Sequence, residues 1–360
     1  MKKIISLVMS SVLAVSLLAG CGSSSETSNS TSAATSTSAA SSSTAAVSSD
    51  ANGDAVKTGL AVISSIAKSK DAGKEDGLGQ VDSTVVAVTV DKDGKIVKCA
   101  IDAAQTKINF SAAGKITTDL KKEFKSKQEL KTEYGMNKAS KIGKEWNEQA
   151  DAFAKYVVGK TVAEVKGIAV NAEGVPSDKE LSATVSIHIA DLTAAIEKAV
   201  NNAKDLGAKA GDKLGLGVAT NISKSADVGE KDGVAQAYSN YTATTFGADG
   251  KVTSCIIDAS QSNVNFSKVG KITSDLKAPL KSKIELGADY GLAKASKIKK
   301  EWFEQTDALA KYVVGKTVDE IKGIAVNAEG VPSQAELTSS VTIHIGDYQA
   351  VIAKAAATAK

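Results

Sequence analysis

Gly167-Ile168-Ala169-Val170-Asn171-Ala172-Glu173-Gly174-Val175-Pro176-Ser177 returns, residue for residue, as Gly323 to Ser333. The offset is 156 positions, and at that same offset residues 59–204 align with 215–360 without a gap. Gly159-Lys160-Thr161-Val162, for example, returns as Gly315-Lys316-Thr317-Val318. A period this long is a whole domain and not a solenoid unit. Each copy is long enough to bury a core of its own. The chain is therefore read as one fold written twice, at 54–205 and 206–360.

Within one copy, Val85–Val90 and Ile96–Ile101 are rich in β-branched residues, and Asp91-Lys92-Asp93-Gly94 joins them as a hairpin turn. The second copy has Tyr241–Phe246 and Val252–Ile257 around Gly247-Ala248-Asp249-Gly250. Gly247 replaces Asp91, so the aspartates mark a turn and not a calcium loop. Leu120–Leu130 and Ala139–Val158 are expected as helices. In the second, Ile142, Trp146, Gln149, Phe153 and Tyr156 fall on one face. Gly159 ends that helix, and Thr161 with Glu164 forms a capping box for a short one after it. Gly-Lys-Thr is thus a cap and no phosphate loop, because Ala154 stands where a first Walker glycine belongs. Alternation over Val185–Ile189 predicts a strand, and Asp191 is expected to cap a closing helix over 192–203. The fold class is α+β: two homologous tandem domains, each a β-hairpin, a helical middle, a further strand and a closing helix.

The start of the chain reads differently. Lys2 and Lys3 precede an apolar run, Ile4–Leu18, too short for a spanning helix. The run closes in Leu18-Ala19-Gly20-Cys21, which resembles the lipobox of bacterial lipoproteins. Residues 1–20 are read as a lipoprotein signal peptide and Cys21 as the lipidation site. The tract that follows, to residue 53, is almost wholly Ser, Thr, Ala and Gly. Such a segment buries too little apolar surface to offset chain entropy and is expected to be a disordered tether reaching about 30 Å.

The 360 residues carry 44 Lys+Arg against 41 Asp+Glu, a net charge of +3, which gives no basis for a nucleic-acid groove. Two histidines and three cysteines exclude a disulfide-stapled scaffold and a poly-histidine metal centre. Cys99 and Cys255 are equivalent, as are His188 and His344, and Trp146 and Trp302. Each thiol reads as buried and inert, unless the copies bring their Cα atoms within about 7 Å of each other. Each histidine is a structural or surface residue or a ligand contact. Each tryptophan is a core anchor or a stacking platform for a planar ligand. Asp102, Gln105, Asn109 and Phe110 repeat as Asp258, Gln261, Asn265 and Phe266, a set suited to a polar ligand or to closing a loop. None of these forms a nucleophile–base pair, which argues against a hydrolase.

Asp76-Gly77 followed by Gly94-Lys95-Ile96, repeated as Asp232-Gly233 and Gly250-Lys251-Val252, resembles the FMN-binding domain of Rnf-type and sodium-pumping quinone reductases. The chain is similar in the same way to lipid-anchored flavoproteins of extracellular electron transfer in Gram-positive bacteria. The whole repeat resembles tandem-repeat lipoproteins of clostridial type. That family carries FMN on the threonine of an Asp-x-x-Ser-Gly-Ala-Thr motif. Asp178 and Thr184 match its ends, with Leu181-Ser182 in place of Ser-Gly and Ser340 at the equivalent of Thr184. The resemblance implies FMN on Thr184, helped by Asp178, with Ser340, Trp146 and Trp302 as further cofactor contacts. It implies a lipid-anchored protein on the outer face of the membrane, passing electrons to a membrane redox partner. The alternative expectation is a non-catalytic envelope module that binds a small molecule, a wall polymer or a protein.

Overall fold

The computed structural model describes residues 53–360; the signal peptide, Cys21 and nearly all of the tether lie outside the described residues. β1 (Ala55–Ser65), β2 (Gly77–Val90) and β3 (Ile96–Phe110) form an antiparallel meander. The helical middle follows as α1 (Lys127–Leu130), two 3₁₀ turns, α2 (Trp146–Tyr156), α3 (Val162–Lys166) and α4 (Lys179–Ser182), then the closing α5 (Ala190–Asn201). β4 (Lys204–Lys209) leads into the second copy: β5 (Lys213–Asn221), β6 (Gly233–Phe246), β7 (Val252–Phe266), α6 (Lys283–Leu286), α7 (Trp302–Val313), α8 (Val318–Lys322), α9 (Ala335–Thr338) and α10 (Gly346–Thr358). Strand order is β3-β2-β1-β4 in one sheet and β5-β6-β7 in the other.

The hairpin turn forms as its residues dictate. Asp91 Oδ1 accepts from the N–H groups of Asp93 and Lys95 at 2.9 and 2.8 Å, and Gly94 supplies φ +78°. Thr161 and Glu164 close the expected capping box. Strand pleating then sends alternate residues to two different cores. Val86, Val88 and Ile101 face α2 and α5 and meet Phe153, Ile196 and Ala199. Val85 and Ala87 point the other way, onto Leu214, Leu216 and Tyr241 of the second sheet. The result has four layers: helices, sheet, sheet, helices. Both strand faces are buried, which explains the near-continuous apolar runs.

Val47–Lys360 is one compact unit. The two copies are halves of one body, and the expected boundary at 205/206 falls inside β4, which pairs with β1. The halves meet about a pseudo-twofold axis, and several of their contacts are mirrored. Phe110 and its equivalent Phe266 stack at 4.1 Å with planes 6° apart. Asp71 binds Lys271 and the Ile272 N–H, and Asp227 binds Lys115 and the Ile116 N–H. Glu129 pairs with Lys354, and Glu285 with Lys198.

Several expectations are corrected. Val185–Ile189 is not a strand. Val185 and Ile189 are buried, but their segment runs under α2 with no ladder beside it. Gln149 Oε1 accepts from the Ser186 N–H at 2.8 Å, and Ile189 N–H donates to the Gly174 carbonyl. The Leu120–Leu130 helix shrinks to α1, because Ser126 caps it and Leu120 lies exposed. The Ala139–Val158 helix starts only at Trp146, since Gly143 adopts φ +65° and Glu145 forms the capping box. Asp191 sits in the first turn of α5 and does not cap it; the N-cap is Ile189.

Candidate functional site

The pseudo-twofold creates two equivalent clefts where an edge of one sheet faces the other half. The larger, about 910 Å³, lies between β3 and α2 of the first half and β5 and α10 of the second. The smaller, about 320 Å³, lies between β7 of the second half and β1 with α5 of the first. β4 packs against β7 and extends the first sheet on that side. Both clefts are built from matching positions: Asp102 and Asp258, Ser126 and Ser282, Glu129 and Glu285, Lys354 and Lys198.

At the base of each cleft sits a buried carboxylate. Asp102 Oδ1 accepts from the N–H groups of Ala103 and Gln128 at 2.7 and 3.1 Å, and Asp258 does the same with Ala259 and Ile284. Burial pushes both up to about 6; the serine side chains and these N–H groups pull the other way without cancelling it. Across the larger cleft run two ion pairs, Lys354–Glu129 and Lys360–Asp151, each at 2.6 Å. Its floor is apolar, from Leu214, Leu216 and Val218, and Lys98, Lys131 and Lys155 stand around it with no ion pair to any described residue.

The halves have diverged at these positions. Ala100, Gln128 and Asn147 of the larger cleft correspond to Ile256, Ile284 and Phe303, and Lys98 and Lys131 to Ser254 and Gly287. Lys131 takes φ +47°, ψ −120°, and its glycine counterpart φ +52°, ψ −124°. Glycine adopts this conformation freely; a lysine there carries strain of order 1–3 kcal/mol. Asn147 adds a buried side-chain oxygen with no hydrogen-bond partner.

The sequence-selected residues lie elsewhere. Trp146 and Trp302 are buried, and each ring is already covered by a lysine of its own half. Lys127 lies 5.1 Å from the Trp146 ring centre and Lys283 5.1 Å from that of Trp302. Lys283 is enclosed further by Tyr238 and Tyr290 and donates to the Tyr238 hydroxyl at 2.8 Å. Burial lowers its amine to about 8, and Asp258 opposes that shift. Thr184 is half-buried after α4 and donates to the Leu181 carbonyl, and Ser340 repeats this with Leu337. Asp178 is exposed and caps α4 through the Glu180 and Leu181 N–H groups. None of these five residues lines either cleft.

The remaining motif residues have structural work. Asp76 accepts from the Thr117 hydroxyl and Asp232 from Thr273. A Cβ on Gly77 would lie 2.4 Å from the Phe110 ring, so this glycine admits the stacked pair. His188 and His344 lie exposed against Gly174 and Gly330. Cys99 and Cys255 are free thiols. Burial pushes the Cys255 thiol up to about 11, despite two threonine hydroxyls beside it, and the Cys99 thiol higher still. Neither is an activated nucleophile. Among the described residues no three His, Cys, Asp or Glu side chains converge, and no helix is long and apolar enough to cross a membrane.

Sequence reasoning singled out Asp102 and Asp258, yet missed the two clefts. Their opposite walls come from the other half of the chain, and only the comparison of Lys131 with Gly287 carried a usable signal. Compared with known proteins, the chain matches no family model, no curated protein and no solved structure.

Proposed function

We propose that this protein is a binding protein held by a lipid on Cys21 at the outer face of a Gram-positive membrane. The Ser/Thr tether sets the two-repeat body off the surface, and the larger cleft takes a small molecule. The cleft carries this reading: about 910 Å³ open to solvent, with an apolar floor and charged rim, is the form small-molecule sites take. The thiols are deactivated and neither histidine lines the cleft, which supports a reading of recognition. The two homologous repeats act as one receptor body, not as two beads on a string.

Two measurements test this. The full chain, expressed in a Gram-positive host, should take up labelled palmitate and be shaved from intact cells by protease. Cys21→Ala should abolish the labelling, and labelling that persists would remove the anchor from the reading. Native mass spectrometry of the body released from its own envelope should show a small adduct that is lost on denaturation. A covalent FMN-sized increment, with visible flavin absorbance, would instead establish the electron-carrier alternative at Thr184 or Ser340.

A further inference from the structure

We infer that the larger cleft binds small amphipathic organic anions, and that its counterpart in the other half has been narrowed. In this complex the apolar body rests on Leu214, Leu216 and Val218, and the anionic group faces Lys98, Lys131 and Lys155. This rests on the binding role proposed above and specifies its ligand.

Three observations carry it. The first is charge. Five lysines and three carboxylates line the cleft, but Glu129 and Asp151 are each held by a lysine of the second half. Lys98, Lys131 and Lys155 are left facing one apolar floor with no partner. The third carboxylate, Asp102, is withdrawn from water and holds its proton more readily than a free aspartate.

The second is the duplication, which supplies a control inside the same molecule. Where the small cleft has Ile256 and Ile284, the large one has Ala100 and Gln128, and Asn147 of the large cleft corresponds to Phe303, which lies against the second half's core. One site is narrowed by Ile256, Ile284 and the adjoining β4; the other keeps space and polar groups. A site with no ligand would have no reason to stay open, since filling it would add buried apolar area of the kind the other half already has.

The third is Lys131. The backbone turn at this point needs the conformation seen at Gly287, which strains any other residue. Lysine there costs stability and adds a charge at the mouth of the cleft. Asn147 adds a polar side chain to the same wall.

The test uses Val47–Lys360, which contains every buried core residue described. Fluorescence titrations use anionic 1-anilinonaphthalene-8-sulfonate and uncharged N-phenyl-1-naphthylamine. Both should bind one site. Lys131→Gly should weaken the sulfonate about fivefold, as loss of one partly solvated charge implies, and leave the uncharged probe within about twofold. Because the variant restores the glycine of the other half, its melting temperature should not fall. The Ala100→Ile/Gln128→Ile variant, and separately Asn147→Phe, should remove binding of both probes. Equal sulfonate affinity in wild type and Lys131→Gly would overturn the anion preference while leaving cleft binding intact. Undiminished binding by both filling variants, or no binding of either probe by the wild type, would overturn the cleft as a ligand site.

Discussion

Asp102 and Asp258 give the protein a pH dependence opposite to that of most folded proteins. Both carboxyls are pushed from 3.8 to about 6 by burial. The folded state therefore holds these protons more tightly than the unfolded chain does. Stability rises as pH falls through about 6, and the gain is complete near the unfolded value of 3.8. At about 1.4 kcal/mol per unit, each residue contributes up to about 3 kcal/mol between those limits. Asp71, Asp82 and Asp227 act the other way, since hydrogen bonds and lysines hold them below their usual value. Their contribution is lost only as pH falls through and below 3.8, so maximum stability should fall near pH 4. Asp102→Asn isolates the effect. The amide oxygen can still accept from Ala103 and Gln128, and the Ser126 hydroxyl can accept where it formerly donated. Urea unfolding at pH 7.5 and 5 is the assay. Wild type should gain stability on acidification. The variant should begin about 1–3 kcal/mol more stable at pH 7.5 and show about half the acid gain, and Asp102→Asn/Asp258→Asn almost none. A single variant destabilised at pH 7.5, with an undiminished acid gain, would refute the argument.

Other consequences concern the fusion of the halves. Phe110→Ala should cost about 3–5 kcal/mol, as a fully buried phenylalanine does. A cycle with Phe266→Ala should show coupling of about 0.5–1.5 kcal/mol from the stack, read by denaturant unfolding. Additive single costs would mean that the rings do not meet. Gly215→Ala should destabilise by about 1–3 kcal/mol or more, since its Cβ would lie 2.0 Å from the Ala355 carbonyl oxygen. Gly346→Ala, with open space around it, is the control and should be neutral or stabilising in thermal melts.

The close approach at Gly215 shows where the sequence was legible and where it was not. The β2–β3 hairpin announced itself through β-branched runs and an Asp-Gly turn, and it is present in both halves, longer than expected. β1 and β5 went unread. In Lys213–Asn221 the glycines at 215 and 217 look like strand breakers, yet they are there because α10 lies directly on the strand. Val185–Ile189 misled in the opposite direction. Its alternation reports which side chains are buried, and burial beneath a helix gives the same pattern as burial in a sheet. The Asp-Gly and Gly-Lys-Ile motifs were visible, but their work is packing and turn formation. The clefts were hidden because each needs walls from residues more than 100 positions apart.

Duplication alone would make two equal clefts, and this chain does not have two. The halves share their core through Phe110 and Phe266 and their rim through two mirrored lysine–glutamate pairs, so neither half can drift freely in its packing. The halves differ inside that shared core, where Tyr241 stands at the equivalent of Val85, and they differ again at the clefts. At the clefts one side has Ile256 and Ile284, and the other has Ala100 and Gln128 with a lysine in a glycine's conformation. Packing alone would favour the first outcome on both sides. The open side runs against that preference, as a retained ligand site of the kind proposed above would require. A fused pair with one narrowed and one open cleft is a rigid frame around the proposed site, with the second repeat serving as its wall.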